Sequence, residues 1–146
     1  AMTPHFGTAE MQEMVDSGLI SIQSHTYDMH QWPPFEDGND RVRETLAQLP
    51  GESEESYVQA LTEDFTRSRA LLEGATGQPV DVLAYPAGQY STLAQVTLQS
   101  LGVHVTLSTN PGVNTVVKGL PQTLYAMLRF GITEDISPEA LLDMIR

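Results

Sequence analysis

An α/β fold with a largely parallel sheet is predicted by three observations. Helical and strand patterns alternate along the 146 residues. The predicted helices are long enough to act as crossovers between parallel strands, and glycine or proline marks most of the junctions. No internal repeat competes with this reading, and the length suits one domain.

Thr8 is placed as the cap of a short helix carrying Met11, Met14 and Val15, which Gly18 stops. Residues 19–26 (LISIQSHT) alternate, with Ile20 and Ile22 on one face and Ser21 and Gln23 on the other, and so predict a strand. Residues 31–51 form a polar excursion with three of the nine prolines and the turn sequence Asp37-Gly38-Asn39-Asp40. Residues 41–49 could form a short helix within it. Long connections of this kind inside a compact domain are often functional.

Residues 53–74 are the clearest helix. Ser53 is the cap, Glu54 and Glu55 sit where the helix dipole favours negative charge, and Tyr57, Val58, Leu61, Phe65 and Leu72 form the apolar stripe. Gly74 and Gly77 end it. The acidic group Glu52-Ser53-Glu54-Glu55 reads as a solvated helix start. Residues 80–86 (VDVLAYP) predict a strand stopped by Pro86. Ser91 or Thr92 caps a helix with Leu93, Val96, Leu98 and Leu101, closed by Gly102. Residues 103–109 and 124–132 predict two more strands, and Ser137-Pro138-Glu139 opens a last helix with proline at its first position.

Composition removes several functions. Seven basic residues stand against nineteen acidic ones, for a net charge of −12, so no basic stripe exists to engage nucleic acid or an anionic membrane surface. Without cysteine, disulfides, thiolate metal sites and a cysteine nucleophile are excluded. No run of eighteen apolar residues is present, so no membrane span is expected, and residues 1–10 lack the pattern of a signal peptide.

In such folds ligands bind at the C-terminal ends of strands. Two of those ends carry chemistry: Ser24-His25-Thr26-Tyr27-Asp28-Met29-His30 and Ala84-Tyr85-Pro86-Ala87-Gly88-Gln89-Tyr90. Neither a continuous helix nor a continuous strand lets His25 and His30 reach one ion. They converge only if His25 ends a strand and the chain turns before His30. Two neutral imidazoles would then suit zinc, cobalt, nickel or iron(II). Asp28 could be a third ligand or could cap the turn through its own backbone. His5 and His104 have no such context.

Residues 15–30, with their H-T-Y-D-x-H, closely resemble the second motif of polysaccharide deacetylases of carbohydrate esterase family four, in the branch acting on poly-N-acetylglucosamine. Residues 85–90 resemble that family's third motif, and Gly112-Val113-Asn114 and Leu128-Arg129-Phe130 follow in the order of its later segments. The resemblance implies a distorted (β/α) barrel and metal-dependent removal of acetyl groups from an N-acetylated polysaccharide. It implies that His25 and His30 bind the metal, that Tyr85, Pro86 and Gly88 wall the substrate groove, and that the Ala87 amide helps hold the oxyanion. Trp32, Phe35, Tyr85 and Tyr90 are added as rings that could stack on sugars.

Three departures accompany the resemblance. The family's paired aspartates, one a base and one a metal ligand, are absent, so residues 1–146 are expected to be the C-terminal portion of a deacetylase domain lacking its N-terminal strands. Ala84 stands near the place of an arginine, and Arg129 could substitute in orienting a carboxylate. Phe130 occupies the place of a late histidine acid, leaving Tyr90 or water to protonate the amine. The chain alone is therefore expected to bind metal poorly and to hydrolyse nothing. Its open sheet edge should pair with the missing strands or with another chain. The acidic balance fits an extracellular or cell-surface protein. Other readings are a carbohydrate-binding module descended from a deacetylase, and an amidase for another acyl amide.

Overall fold

The computed structural model describes residues 5–32 and 42–145. Its elements run in the order α1 (Thr8–Asp16), α2 (Glu54–Thr76), β1 (Val82–Ala84), α3 (Thr92–Ser100), β2 (Val105–Leu107) and α4 (Pro138–Met144), with 3₁₀ turns at Pro86–Gly88 and Pro121–Leu124. Strands β1 and β2 are parallel, with Val82, Leu83 and Ala84 opposite Val105, Thr106 and Leu107. Single parallel bridges extend this pair on both sides, Ser24 to Leu83 and Met127 to Leu107. Helices α2 and α3 pack together over a core of Leu46, Tyr57, Leu61, Phe65, Leu83, Tyr85, Ala94, Leu98 and Val103.

The helix ends follow the expected chemistry. Ser53, Ser91 and Ser137 accept the amides of Ser56, Ala94 and Ala140 and so cap α2, α3 and α4. Gly77, at φ 67°, closes α2, whereas Gly74 lies inside the helix. In α1 the cap is Gly7 rather than Thr8, with Glu10 reaching back to the Gly7 amide.

Two predicted strands shrink to bridges. In residues 19–26 only Ser24 pairs with β1, and Leu19 and Ile20 are exposed at 86% and 48%. Alternation defines a strand only where a neighbour supplies the ladder, and beyond Ser24 none of the described residues does. The Gln23 side chain partly replaces that ladder by accepting the amides of Asp81 and Val82. Residues 124–132 are interrupted by Ala126 at φ 53°, whose amide goes to the Thr106 hydroxyl, leaving Met127 as the pairing residue.

The polar excursion is held without a helix over residues 42–49. The expected turn at 37–40, and the Arg41 start of the short helix, lie outside the described residues. Glu52 is not a solvated helix start: its carboxylate is buried against Arg43 at 2.6 Å and accepts the Leu49 amide. That ion pair ties the excursion to the start of α2.

Candidate active site

Three segments meet beyond the C-terminal ends of the strands: residues 24–31, 42–49 and 84–90. Ser24 is the last residue paired with β1, its amide donating to Val82 O and its carbonyl accepting from Ala84 N. The chain then reverses at Thr26, which has φ 77°, an uncommon conformation for a β-branched residue. This turn brings the rings of His25 and His30 to 5.2 Å between centroids, nearly perpendicular at 84°.

Each ring is held by one nitrogen. His25 Nδ1 donates to the Ala84 carbonyl at 2.8 Å, and His30 Nδ1 donates to the Glu44 carbonyl at 2.7 Å. A carbonyl can only accept, so in the neutral rings the hydrogen sits on Nδ1 and the Nε2 lone pair is left free. Backbone-anchored imidazoles with a free Nε2 are the usual arrangement of metal-ligating histidines, because the anchor fixes tautomer and ring direction. The donor set therefore fits a divalent metal as two of its ligands. No group of three or more metal-ligating side chains occurs among the described residues.

Asp28 does not join the pair. Its carboxylate accepts from Gln31 Nε2 at 3.1 Å, and the turn is held from elsewhere. Asp64 on α2 accepts the amides of Tyr27 at 3.0 Å and Asp28 at 2.6 Å. One helical turn further on, Ser68 shares a hydrogen bond of 2.8 Å with Ser24. Both Asp64 and Ser68 are buried. Burial pushes the Asp64 carboxyl above its usual pKa, and the two amides pull it back. The signal for this residue was a carboxylate on the apolar stripe between Leu61 and Phe65, where a charge has no business unless something pairs with it.

The second strand end lies against the first. The Ala84 carbonyl that anchors His25 immediately precedes Tyr85, and Thr45, next to the carbonyl that anchors His30, reaches Gln89 at 3.4 Å. Pro86–Gly88 forms a 3₁₀ turn with Ala87 at φ 52°. The turn's hydrogen bonds run from Gly88 N to Tyr85 O and from Gln89 N to Pro86 O, and among the described residues no acceptor takes the Ala87 amide. Gly88 is required here: a Cβ would lie 2.1 Å from Thr109 Oγ1 and 2.6 Å from its backbone nitrogen, at φ 69°.

Tyr85 and Pro86, expected as groove wall, are fully buried and support the loop from beneath. Tyr85 stacks on Tyr90 at 4.7 Å, and Tyr90 is the exposed ring of the pair, at 44%. Among the described residues the Tyr85 hydroxyl has no hydrogen-bond partner, and burial raises its pKa.

Two further expected residues are exposed. Trp32 is 60% exposed, without a ring contact among the described residues, and Phe35 lies outside them. Arg129 is exposed at the end of the last bridge, its amide on Asn110 O, and meets no carboxylate among the described residues.

A family model described as polysaccharide deacetylase matches residues 3–106, well over half of the chain. A search of curated proteins found no match. Solved structures similar to the chain include a polysaccharide deacetylase from Bacillus cereus, 27% identical with a TM-score of 0.67 over 95% of this chain and 36% of that one. IcaB from Ammonifex degensii is 25% identical with a TM-score of 0.69, over 94% of this chain and 52% of that one. A de-N-acetylase from Aggregatibacter actinomycetemcomitans is 20% identical and agrees in fold, with a TM-score of 0.72 over 96% of this chain and 53% of that one. The chain thus spans about half or less of the length of these structures.

Proposed function

The chain belongs to the polysaccharide deacetylase family, and on that premise we propose that it is the C-terminal portion of a domain that hydrolyses N-acetyl groups from a surface or cell-wall polysaccharide resembling poly-N-acetylglucosamine. The observation that carries this reading is the histidine pair, anchored through Nδ1 on two carbonyls beside the loop at 84–90. His25 and His30 would hold a divalent metal, zinc first, with cobalt, nickel or iron as alternatives, which supplies a polarised carbonyl and an activated water.

The protein's own groups would do the rest. The Ala87 N–H, unpartnered among the described residues, is available to donate to oxygen charge that develops only in the tetrahedral intermediate. Tyr90 offers a ring face for a sugar, backed by buried Tyr85. Gly88 lets this loop close on Thr109. Arg129 would orient a carboxylate supplied from outside the described residues, as would the third ligand and the general base. Ser24, whose one ladder partner among the described residues is Leu83 of β1, marks the sheet edge that further strands, or another chain, would cover. An extracellular or cell-surface setting follows from that substrate.

Alone, these 146 residues should bind metal poorly and release no acetate. The longer protein should release acetate from N-acetylglucosamine oligomers, and His25→Ala should lower its rate roughly a hundredfold or more, since even outer-shell partners of metal ligands cost ~10–100-fold. Acetate release from acetylated peptides but not from sugars would sink the substrate class. Full activity with stoichiometric metal in the 146-residue chain would sink the partial-domain reading. Exposed Tyr90 and Trp32 favour a second reading, a sugar-binding module; oligomer binding by the longer protein without acetate release would establish it.

A further inference from the structure

We propose that Asp64 is a positioning residue for the histidine pair: its carboxylate, by accepting the Tyr27 and Asp28 amides, holds the turn that aims His25 and His30 at a common ion. The inference rests on the reading of those two histidines as metal ligands.

The argument starts from α2. Positions 61, 64, 65 and 68 share one face, and Leu61 and Phe65 place that face in the core. A carboxylate there loses hydration, which disfavours its charge. Two hydrogen-bond donors offset that loss most, and both come from the loop between the histidines, with the Arg43 charge adding less. They are successive amides, so one carboxylate fixes the backbone direction of two residues at once. Ser68, a turn along α2, fixes Ser24. The helix thus grips the chain on both sides of His25.

Thr26 lies between the two grips. A β-branched residue at φ 77° persists only where its surroundings over-determine it. Its amide is already taken by Ser24 Oγ at 3.1 Å, so the conformation is held by Ser24 on one side and Asp64 on the other. Releasing the Asp64 side would leave two amides without their acceptor and let Thr26 relax. His25 and His30 are anchored on different segments, at Ala84 and Glu44. Their 5.2 Å approach therefore depends on the turn that joins them.

The test uses Asp64→Asn and Asp64→Glu in the full-length protein, with His25→Ala as reference. Asparagine keeps the shape but has one acceptor, and its amide hydrogens face a donor. Zinc affinity, read by chelator competition, should fall about 10–100-fold in Asp64→Asn, the range for groups that orient metal ligands. Asp64→Glu should recover part of that loss. Hydrogen exchange at Tyr27 and Asp28 should accelerate in metal-free Asp64→Asn, and KM for oligomers should stay unchanged. Zinc affinity within twofold of the parent in Asp64→Asn, with His25→Ala abolishing binding, overturns the positioning role while leaving the metal reading intact. A lowered melting temperature with zinc affinity unchanged in both variants also overturns it. Zinc binding retained in His25→Ala overturns the metal reading, and the inference with it.

Discussion

Residues 24–30 and residues 84–90 both leave a parallel strand, and both turn through a non-glycine residue at positive φ, Thr26 at 77° and Ala87 at 52°. They are held differently. The first turn is gripped by side chains from α2, Asp64 and Ser68, more than thirty residues away. The second rests first on its own residues: Pro86 stops the strand and Gly88 lets the backbone close on Thr109, whose hydroxyl adds one bond by donating to the Ala87 carbonyl at 3.3 Å. A turn built on local backbone chemistry tolerates change elsewhere but not at its glycine. A turn built on distant side chains is adjustable and depends on the fold being complete.

Three substitutions would sharpen or break this contrast. Gly88→Ala should have the largest effect, lowering stability by about 3 kcal/mol in denaturant unfolding, because the new Cβ meets Thr109 backbone as well as side chain. A loss under about 1 kcal/mol would mean that the second turn is not set by close approach. Ser68→Ala breaks the buried hydroxyl–hydroxyl bond to Ser24 and should cost about 1 kcal/mol, with the Tyr90 region undisturbed in amide spectra. Shifts spreading into residues 84–90 would show that the two turns are not independently held. Thr26→Gly should be smallest, a gain of about 0.5 kcal/mol from relieved backbone strain, accompanied by faster hydrogen exchange around His25. A stability loss there would show that the threonine side chain contributes more than its backbone costs.

Legibility from sequence followed the same division. The caps at Ser53 and Ser137 were readable, and that of α3 to within Ser91 or Thr92, because a helix end is satisfied by residues three positions away. The reversal between His25 and His30 was readable as a requirement, since no regular element brings both rings together. What performs it was not: Asp28 was weighed as ligand or cap, whereas Asp64 supplies the acceptor. Tyr85 was read as groove wall because the motif marks the loop without marking its inner face; in the fold Tyr85 is buried and Tyr90 is the exposed ring. Residues 19–26 and 124–132 carried strand patterns, yet pairing survives at one residue of each.

Sequence alone determined the α/β alternation, the starts of α2 and α4, the two chemically distinctive strand ends and the family resemblance, because each depends on contacts within a few residues or on a contiguous motif. Tertiary structure alone decided which imidazole nitrogen is left free, which carboxylate holds the turn and which tyrosine faces outward. Those are properties of groups brought together from residues 24–31, 42–49, 64–68 and 84–90, and their hydrogen bonds exist only once α2 has packed against the strands.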